Sequence, residues 1–222
     1  MPNKTIYFLI DCSGSMYGPR ADAVNTAMEK IVNEVIPQVR LLKAADLDLY
    51  FMVLGFSDML NDKVVEIVPK TSVDDFNQWP PIEQDFFNGG TPTGAAIERV
   101  IQDLQGGVRG EPDVNAVVPA IFLISDGEPN GSNPTYEEVM ECAEKGNPKE
   151  VRAFRKAIRI AFAMNVTEER AKDSLKKFGS VSPKMAARGL QGYYECSDEY
   201  LDYFVDIIMT ATMNVSVGNQ PQ

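Results

Sequence analysis

Five side chains, spread over three stretches of the sequence, offer only oxygen donors. They are Asp11, Ser13, Ser15, Thr91 and Asp126. Carboxylate and hydroxyl oxygens are the donors that Mg²⁺ prefers, and Mg²⁺ takes roughly six of them at about 2.0–2.1 Å. Asp and Ser also precede helices very often, so capping is the alternative interpretation of the Asp-x-Ser-x-Ser pattern. The residue types therefore indicate a site for a divalent cation, magnesium first and Mn²⁺ or Ca²⁺ as possible substitutes.

Two buried strands are the elements that must position these side chains. Ile6–Ile10 and Val117–Ile124 are apolar throughout, apart from Pro119, which fits strands buried on both faces of a parallel sheet. Polar groups begin where each run ends, and ligands of open α/β sheets bind at this carboxyl edge. The glycine-rich turn Asn88–Gly94 lies between the two runs in sequence. If the two strands are neighbours in the sheet, all five donors can converge on one point.

These three stretches resemble the metal-ion-dependent adhesion site of von Willebrand factor A domains. The segments that carry the resemblance are Asp11-x-Ser13-x-Ser15, Gly-Gly-Thr91-Pro-Thr-Gly and Ile-Ser-Asp126-Gly-Glu, in that order. The resemblance covers essentially the whole chain. It implies that the five residues form the metal site, some directly and some through water, and that the strand order is 3-2-1-4-5-6. A narrower resemblance, through the opening strand and Met16-Tyr17-Gly18-Pro19, is to bacterial TerY-type proteins associated with tellurite resistance.

Apart from one hairpin, strand and helix patterns alternate along the chain. A strand from Leu47 to Phe56 is expected to pair with one from Lys63 to Pro69 through a short connector, as an antiparallel hairpin at a sheet edge. The sequence therefore predicts an α/β fold, a doubly wound and mostly parallel six-stranded sheet with one antiparallel edge strand and helices on both faces. One domain is expected over residues 1–213, followed by a flexible tail at 214–222.

Several helix starts are predicted from capping patterns. Thr135 with Glu138 forms a capping box, and Ser72 with Asp75 is expected to start a short helix. Thr167 is expected to cap the helix that Gly179 ends.

The amino-acid composition disfavours several classes of function. The net charge is −11, from 32 acidic and 21 basic residues, which disfavours binding to nucleic acid or to an anionic membrane. No apolar run is long enough to span a bilayer. Three widely spaced cysteines argue for a reducing compartment, and the first strand begins too early to leave room for a signal peptide. A cytoplasmic monomer is the expectation.

The expected function is that of a non-enzymatic, metal-dependent adaptor. The resemblance implies that a protein partner supplies an Asp or Glu carboxylate to the cation. We expect this partner to contact the rim loops Tyr17–Arg20, Asn88–Thr93 and Gly127–Asn133. A magnesium-dependent phosphohydrolase with Asp11 as nucleophile is one alternative, although the chain has no histidine and no P-loop lysine motif. A purely structural metal site is the other alternative.

Overall fold

Six strands form one sheet in the computed structural model, which describes residues 3–43, 47–105, 118–130, 133–145, 148–197 and 201–216. The strands are β1 (Asn3–Asp11), β2 (Asp48–Phe56), β3 (Val64–Ser72), β4 (Ala120–Ser125), β5 (Ile158–Met164) and β6 (Tyr193–Cys196). Their order is β3-β2-β1-β4-β5-β6, and only the pair of β2 with the edge strand β3 is antiparallel within these residues. The predicted fold class and strand order are confirmed.

Helices cover both faces of this sheet. They are α1 (Pro19–Lys30), α2 (Ile36–Leu42), α3 (Thr93–Leu104), α4 (Tyr136–Lys145), α5 (Pro148–Lys156), α6 (Glu169–Phe178), α7 (Pro183–Ala186) and α8 (Leu201–Ser216). A π-helical segment, Ile31–Val35, joins α1 to α2, and short 3₁₀ turns lie at Gly14–Met16, Asn61–Lys63 and Gln84–Phe86.

Strand β1 shows why the apolar runs are continuous. Ile6, Phe8 and Ile10 point to the face covered by α1, α2, α7 and α8. Tyr7 and Leu9 point to the opposite face, which α3, α4, α5 and α6 cover. Because successive side chains of a strand alternate between faces, a strand with helices on both sides must be apolar at every position.

The capping box of α4 is confirmed, since Thr135 N donates to Glu138 Oε2 at 2.9 Å and Glu138 N donates to Thr135 Oγ1 at 3.2 Å. The prediction of a short helix that starts at Ser72 is wrong. Ser72 closes β3, and its carbonyl accepts from the N–H groups of Asp75 and Phe76 in a single turn. Pro80 and Pro81 disfavour helical backbone at the residue before each of them, which limits how far a helix from Ser72 could extend.

Two more helix predictions need correction. The N-cap position of α6 is Glu168 rather than Thr167, and no side chain caps it, although Gly179 does follow its last residue. Sequence patterns also missed α7, where the Ser182 side chain accepts from Met185 N. The last helix, α8, includes residues 214–216 that were assigned to the tail, and residues 217–222 lie outside the described residues.

Across the described ranges, no helix combines the length and apolar character needed to cross a membrane.

Candidate functional site

Strands β1 and β4 are neighbours, and their carboxyl ends bring the aspartates of the sequence motifs to one place. Ile10 pairs with Ile124 in parallel register, so Asp11 and Asp126 follow at the same edge of the sheet. The chain leaves β1 towards β2 on one side and returns to β4 on the other side. This reversal of strand order is the topological switch point at which open α/β sheets bind ligands.

Asp11 lies beneath the loop that follows β1, and its side chain is fully buried. Oδ1 accepts from Ser13 N at 2.9 Å, and Oδ2 accepts from the Ser125 hydroxyl at 2.6 Å. Burial raises the pKa of Asp11 from 3.8 to about 6, even though these hydrogen bonds lower it, and the nearby charge of Asp126 raises it further. Asp11 is therefore a desolvated carboxylate held by two donors.

A chain of hydrogen bonds connects the two serines of the motif to Asp126. The hydroxyl oxygens of Ser13 and Ser15 are 3.1 Å apart, and Ser15 Oγ donates to Asp126 Oδ1 at 2.7 Å. The loop that carries the serines is anchored by Gly14 N, which donates to Gly89 O at 2.9 Å. Together with the bond from Ser13 N to Asp11, four of the five predicted residues are thus linked by hydrogen bonds.

Thr91 joins the glycine-rich turn to the loop after β4. Its backbone N donates to Asn130 Oδ1 at 2.8 Å, and its carbonyl accepts from Asn130 N at 3.0 Å. Its hydroxyl oxygen would lie 3.6 Å from a Cβ placed on Gly127, the residue after Asp126. The structure therefore brings Thr91 to the same edge, with its hydroxyl next to the Asp126–Gly127 segment.

Asp58 holds the glycine-rich turn from the other side. Its Oδ1 accepts from Gly90 N at 2.6 Å. Gly89 has a φ of 81°, and a Cβ there would lie only 2.2 Å from Asp58 Oδ1, so this position requires glycine. Asp58 therefore positions the turn that carries Thr91.

Arg20 is the main residue that sequence reasoning missed. Its Nη1 donates to Asp126 Oδ2 at 2.5 Å and to the carbonyl of Ser15 at 2.7 Å. Arg20 lies in the first turn of α1, where the helix dipole disfavours a positive charge. That unfavourable position was the signal available in the sequence, because a cation there indicates an anionic partner close by.

Hydrogen bonds hold the oxygens of Ser13, Ser15 and Asp126 about as close together as the oxygens around a small hard cation would lie. Oxygens around an octahedral ion at 2.0–2.1 Å are about 2.9 Å from their nearest neighbours. The oxygen pairs Ser13–Ser15 and Ser15–Asp126 lie at 3.1 and 2.7 Å. Within the part of the chain that the structure describes, no three Cys, Asp or Glu side chains converge as a metal cluster. The hydroxyls of Ser13 and Ser15 are candidate ligands here beside the carboxylates of Asp11 and Asp126.

Cys12, inside the same loop, has no features of a reactive thiol. The side chain is buried, and Sγ lies 3.5 Å from the Ile10 carbonyl oxygen. Burial, with a further contribution from the charge of Asp11, raises the pKa of the thiol far above its ordinary value. Cys12 therefore stays protonated and packs as a small apolar side chain.

Comparison with known proteins gives a family match and several fold matches. A family model described as von Willebrand factor type A domain matches residues 5–186. The pilus adhesin SpaC from Lactobacillus rhamnosus GG superposes with a TM-score of 0.64 at 14% identity, over 97% of this chain and 31% of that chain. The vWF domain of the type V pili tip protein Mfa5 from Porphyromonas gingivalis gives 0.62 at 11% identity, over 100% and 98% of the two chains.

A third structure is proximal thread matrix protein 1 from the mussel byssus, with a zinc-occupied MIDAS motif. It gives a TM-score of 0.61 at 16% identity, over 93% of this chain and 47% of that chain. No curated protein matches the sequence at a significant level. At these identities the structural matches establish the fold alone, and the chain spans less than a third of the adhesin SpaC.

Proposed function

Because the chain belongs to the von Willebrand factor type A domain family, we propose that it is a non-enzymatic module that recognises a protein partner through a bound divalent cation. The cation, Mg²⁺ by preference and Mn²⁺ or Ca²⁺ as substitutes, would be held by the five oxygen-bearing residues, directly or through water. They are Asp11, Ser13, Ser15, Thr91 and Asp126. The observation that carries this proposal is that Asp11, Ser13, Ser15 and Asp126 converge in one hydrogen-bonded chain at the carboxyl edge of β1 and β4.

The charges at this edge favour an anionic partner group. A bound divalent cation would keep one coordination position open for another oxygen ligand. A carboxylate of the partner is the proposed ligand. Asp11 and Asp126 together balance two positive charges, and the guanidinium of Arg20 adds another. The surrounding surface is acidic overall, but a contact a few ångströms long is shorter than the screening length of about 8 Å. The local positive charge therefore outweighs the distant acids.

Two exposed apolar side chains lie beside this edge and suit a protein partner. Tyr17 is 60% exposed on the Tyr17–Arg20 loop, and Met59 is 66% exposed next to Gly89. Apolar side chains around a polar anchor are the usual composition of a protein interface. The third proposed contact loop is Gly127–Asn133, of which residues 131 and 132 lie outside the described residues.

Calorimetry with Mg²⁺, combined with elemental analysis, tests the metal site. One ion per chain is expected for the wild type, and Asp11→Asn should abolish binding, because an amide cannot supply the negative charge. The asparagine variant is preferable to alanine since Asp11 is buried and accepts two hydrogen bonds. A variant that binds Mg²⁺ as tightly as the wild type would contradict the assignment.

Partner binding is tested with chelation and matched substitutions. Removal of the cation, Thr91→Ala and Asp126→Ala should each weaken the complex. Asp74→Ala should not, because Asp74 is an exposed, ion-paired carboxylate at the opposite end of the sheet. If chelation lowers the melting temperature but leaves partner binding unchanged, the cation is structural only.

Hydrolysis of phosphoesters is not expected. Both oxygens of Asp11 accept hydrogen bonds and the side chain is buried, so it is poorly placed to attack phosphorus. Arg20, the nearest guanidinium, is paired with Asp126. Turnover of p-nitrophenyl phosphate or ATP by the magnesium-loaded wild type that Asp11→Asn abolishes, at equal purity, would favour the enzyme instead.

The cellular setting is also part of the proposal. A cytoplasmic location is supported by three cysteines that are all free: buried Cys12, exposed Cys142 and partly buried Cys196. A role in tellurite resistance is supported only by the opening strand and the Met16–Pro19 segment. Tellurite sensitivity of a strain that lacks the gene would test it.

A further inference from the structure

Asp126 is fully engaged by groups of the chain itself. Its side chain is 2% exposed, Oδ1 accepts from the Ser15 hydroxyl, and Oδ2 accepts from Arg20 Nη1. The Arg20 side chain that pairs with it is 31% exposed. A cation that approaches from the rim therefore meets a carboxylate whose second oxygen already has a positive partner.

We propose that Arg20 is an internal counter-cation, which holds Asp126 in the metal-free protein and has to release it when a divalent cation binds. This inference rests on the proposed function, because it concerns the same site. It goes further by naming a residue outside the metal motif that lowers the affinity for the cation. Arg20 is not itself a ligand of the cation.

The charges of two nearby carboxylates explain why Arg20 acts as a counter-cation. Two carboxylates, Asp11 and Asp126, approach the same loop with very little exposure to water, and each unpaired buried charge is strongly destabilising. The guanidinium of Arg20 compensates one of them in the metal-free protein. A divalent cation would supply the same compensation and would repel the guanidinium at the same carboxylate, so part of its binding free energy is offset by the lost Arg20–Asp126 pair.

The position of Arg20 also makes its release feasible. It lies in the first turn of α1, where the helix dipole opposes a positive charge, and nearly a third of its side chain already faces solvent. Its second hydrogen bond goes to the carbonyl of Ser15, which belongs to the loop that would have to adjust around a cation. The Arg20 side chain thus connects Asp126 to the loop that carries Ser13 and Ser15.

Release also changes what the rim presents to a partner. In the metal-free protein Nη1 of Arg20 is committed to Asp126 and to the Ser15 carbonyl, which directs the guanidinium charge towards the chain's own carboxylate. Once released, it would lie three residues along the chain from the exposed Tyr17, in the segment proposed to contact the partner. A partner carboxylate then meets a second positive group that is absent before the cation binds, so cation binding and partner binding reinforce each other.

The test compares Mg²⁺ affinity by calorimetry in the wild type, Arg20→Gln and Arg99→Gln. Arg99 is a matched control because it forms an equally short pair with Glu66, at 2.5 Å, and is 34% exposed, but it lies about two turns into α3. Arg20→Gln should bind Mg²⁺ about tenfold more tightly, which corresponds to about 1.4 kcal/mol. Arg99→Gln should stay within about twofold of the wild type, since exposed charges beyond the screening length interact weakly.

Thermal unfolding gives a second readout. Metal-free Arg20→Gln should melt at a lower temperature than the wild type, and its melting temperature should rise more on addition of Mg²⁺. Arg20→Lys keeps the charge but replaces the guanidinium, whose Nη1 donates to both acceptors, by an ammonium on a shorter side chain, and its Mg²⁺ affinity should fall between those of the wild type and Arg20→Gln. If Arg20→Gln does not fold, the Mg²⁺ affinity of Arg20→Lys, compared with that of the wild type, tests the inference instead.

The outcomes separate this inference from the proposed function. If the wild type binds Mg²⁺ and Arg20→Gln binds it equally or more weakly, the inference is wrong and the metal site stands. If none of these proteins binds a divalent cation at millimolar concentration, the proposed function fails, and the inference fails with it. If only Arg20→Gln binds Mg²⁺, the inference holds, and Arg20 permanently replaces the cation in the wild type.

Discussion

At the scale of single residues, Asp11 decides how the site behaves without a cation. Folding removes this carboxylate from water and leaves it two hydrogen-bond donors, Ser13 N and the Ser125 hydroxyl. These donors do not offset the desolvation, and the pKa of Asp11 therefore rises to about 6. The ionised side chain destabilises the metal-free fold, as is common where function requires a buried charge.

We predict that Asp11→Asn stabilises the metal-free protein at pH 7.5. A folded-state pKa near 6, against 3.8 in the unfolded chain, means that Asp11 stabilises the fold below pH 4 and loses this contribution as the pH rises through 6. Asparagine keeps an acceptor for Ser13 N, and the Ser125 hydroxyl can turn to accept from its amide. The gain should be on the order of 3 kcal/mol at pH 7.5.

Denaturant unfolding in the presence of a chelator, from pH 4 to 7.5, measures this effect. The difference between Asp11→Asn and the wild type should shrink towards pH 4. Asp74→Asn is the control, because Asp74 is 54% exposed and paired with Lys43. An asparagine variant that is equally or less stable at pH 7.5 would show that the hydrogen bonds outweigh the desolvation.

At the scale of elements, close contacts between backbones align the loops that carry the site. Gly94 lies in the first turn of α3, and a Cβ there would approach Pro134 O at 2.5 Å and the Thr135 backbone at 2.7 Å. Thr135 precedes α4, so this glycine fixes the distance between the starts of two neighbouring helices. Gly14, in contrast, would meet only ordinary contacts at 3.7 Å or more, and it has no positive φ.

We predict that Gly94→Ala destabilises the protein by about 1–3 kcal/mol, because backbone atoms cannot yield as a flexible side chain would. Gly14→Ala should change the free energy of unfolding much less, although it lies in the metal motif itself. Denaturant unfolding of both variants in the presence of a chelator measures the contrast. Equal destabilisation by the two substitutions would contradict this account of the packing.

At the scale of the whole molecule, a row of aromatic rings crosses five strands on the face covered by α1 and α8. The rings belong to Phe51, Phe8, Phe122, Phe162 and Tyr194, with centroid separations of 5.1–6.2 Å between neighbours. Phe204 of α8 adds an edge-to-face contact to Phe162 at 4.3 Å. The row ties the sheet to its covering helix and leaves the carboxyl edge free for polar loops.

Phe122, at the centre of this row, is fully buried. We predict that Phe122→Ala lowers the free energy of unfolding by about 3–5 kcal/mol, and Phe122→Leu by much less. Four residues along the chain, roughly 13 Å of strand, separate it from Asp126, so the loss should be the same with Mg²⁺ and with a chelator. A loss that depends strongly on Mg²⁺ would show that core and rim are energetically coupled.

The sequence alone determined the strands, their carboxyl edge and the residues that meet there. Apolar runs and the polar residues directly after them are local features, and the two aspartates come together once β1 and β4 pair in parallel. The hairpin of β2 and β3 and the capping box of α4 are equally local. The capping pattern gave a wrong prediction at Ser72, where the chain forms a single turn instead of a helix.

Only the tertiary structure decided how the site is electrostatically balanced. Ser125 reaches Asp11 across 114 positions of sequence, and Arg20 reaches Asp126 across 106. Neither contact follows from a spacing along the chain, because each depends on how two loops cross at the sheet edge and on which rotamers that crossing allows. The depth of burial of Asp11, and with it the rise in its pKa, is a property of the packed loops around it.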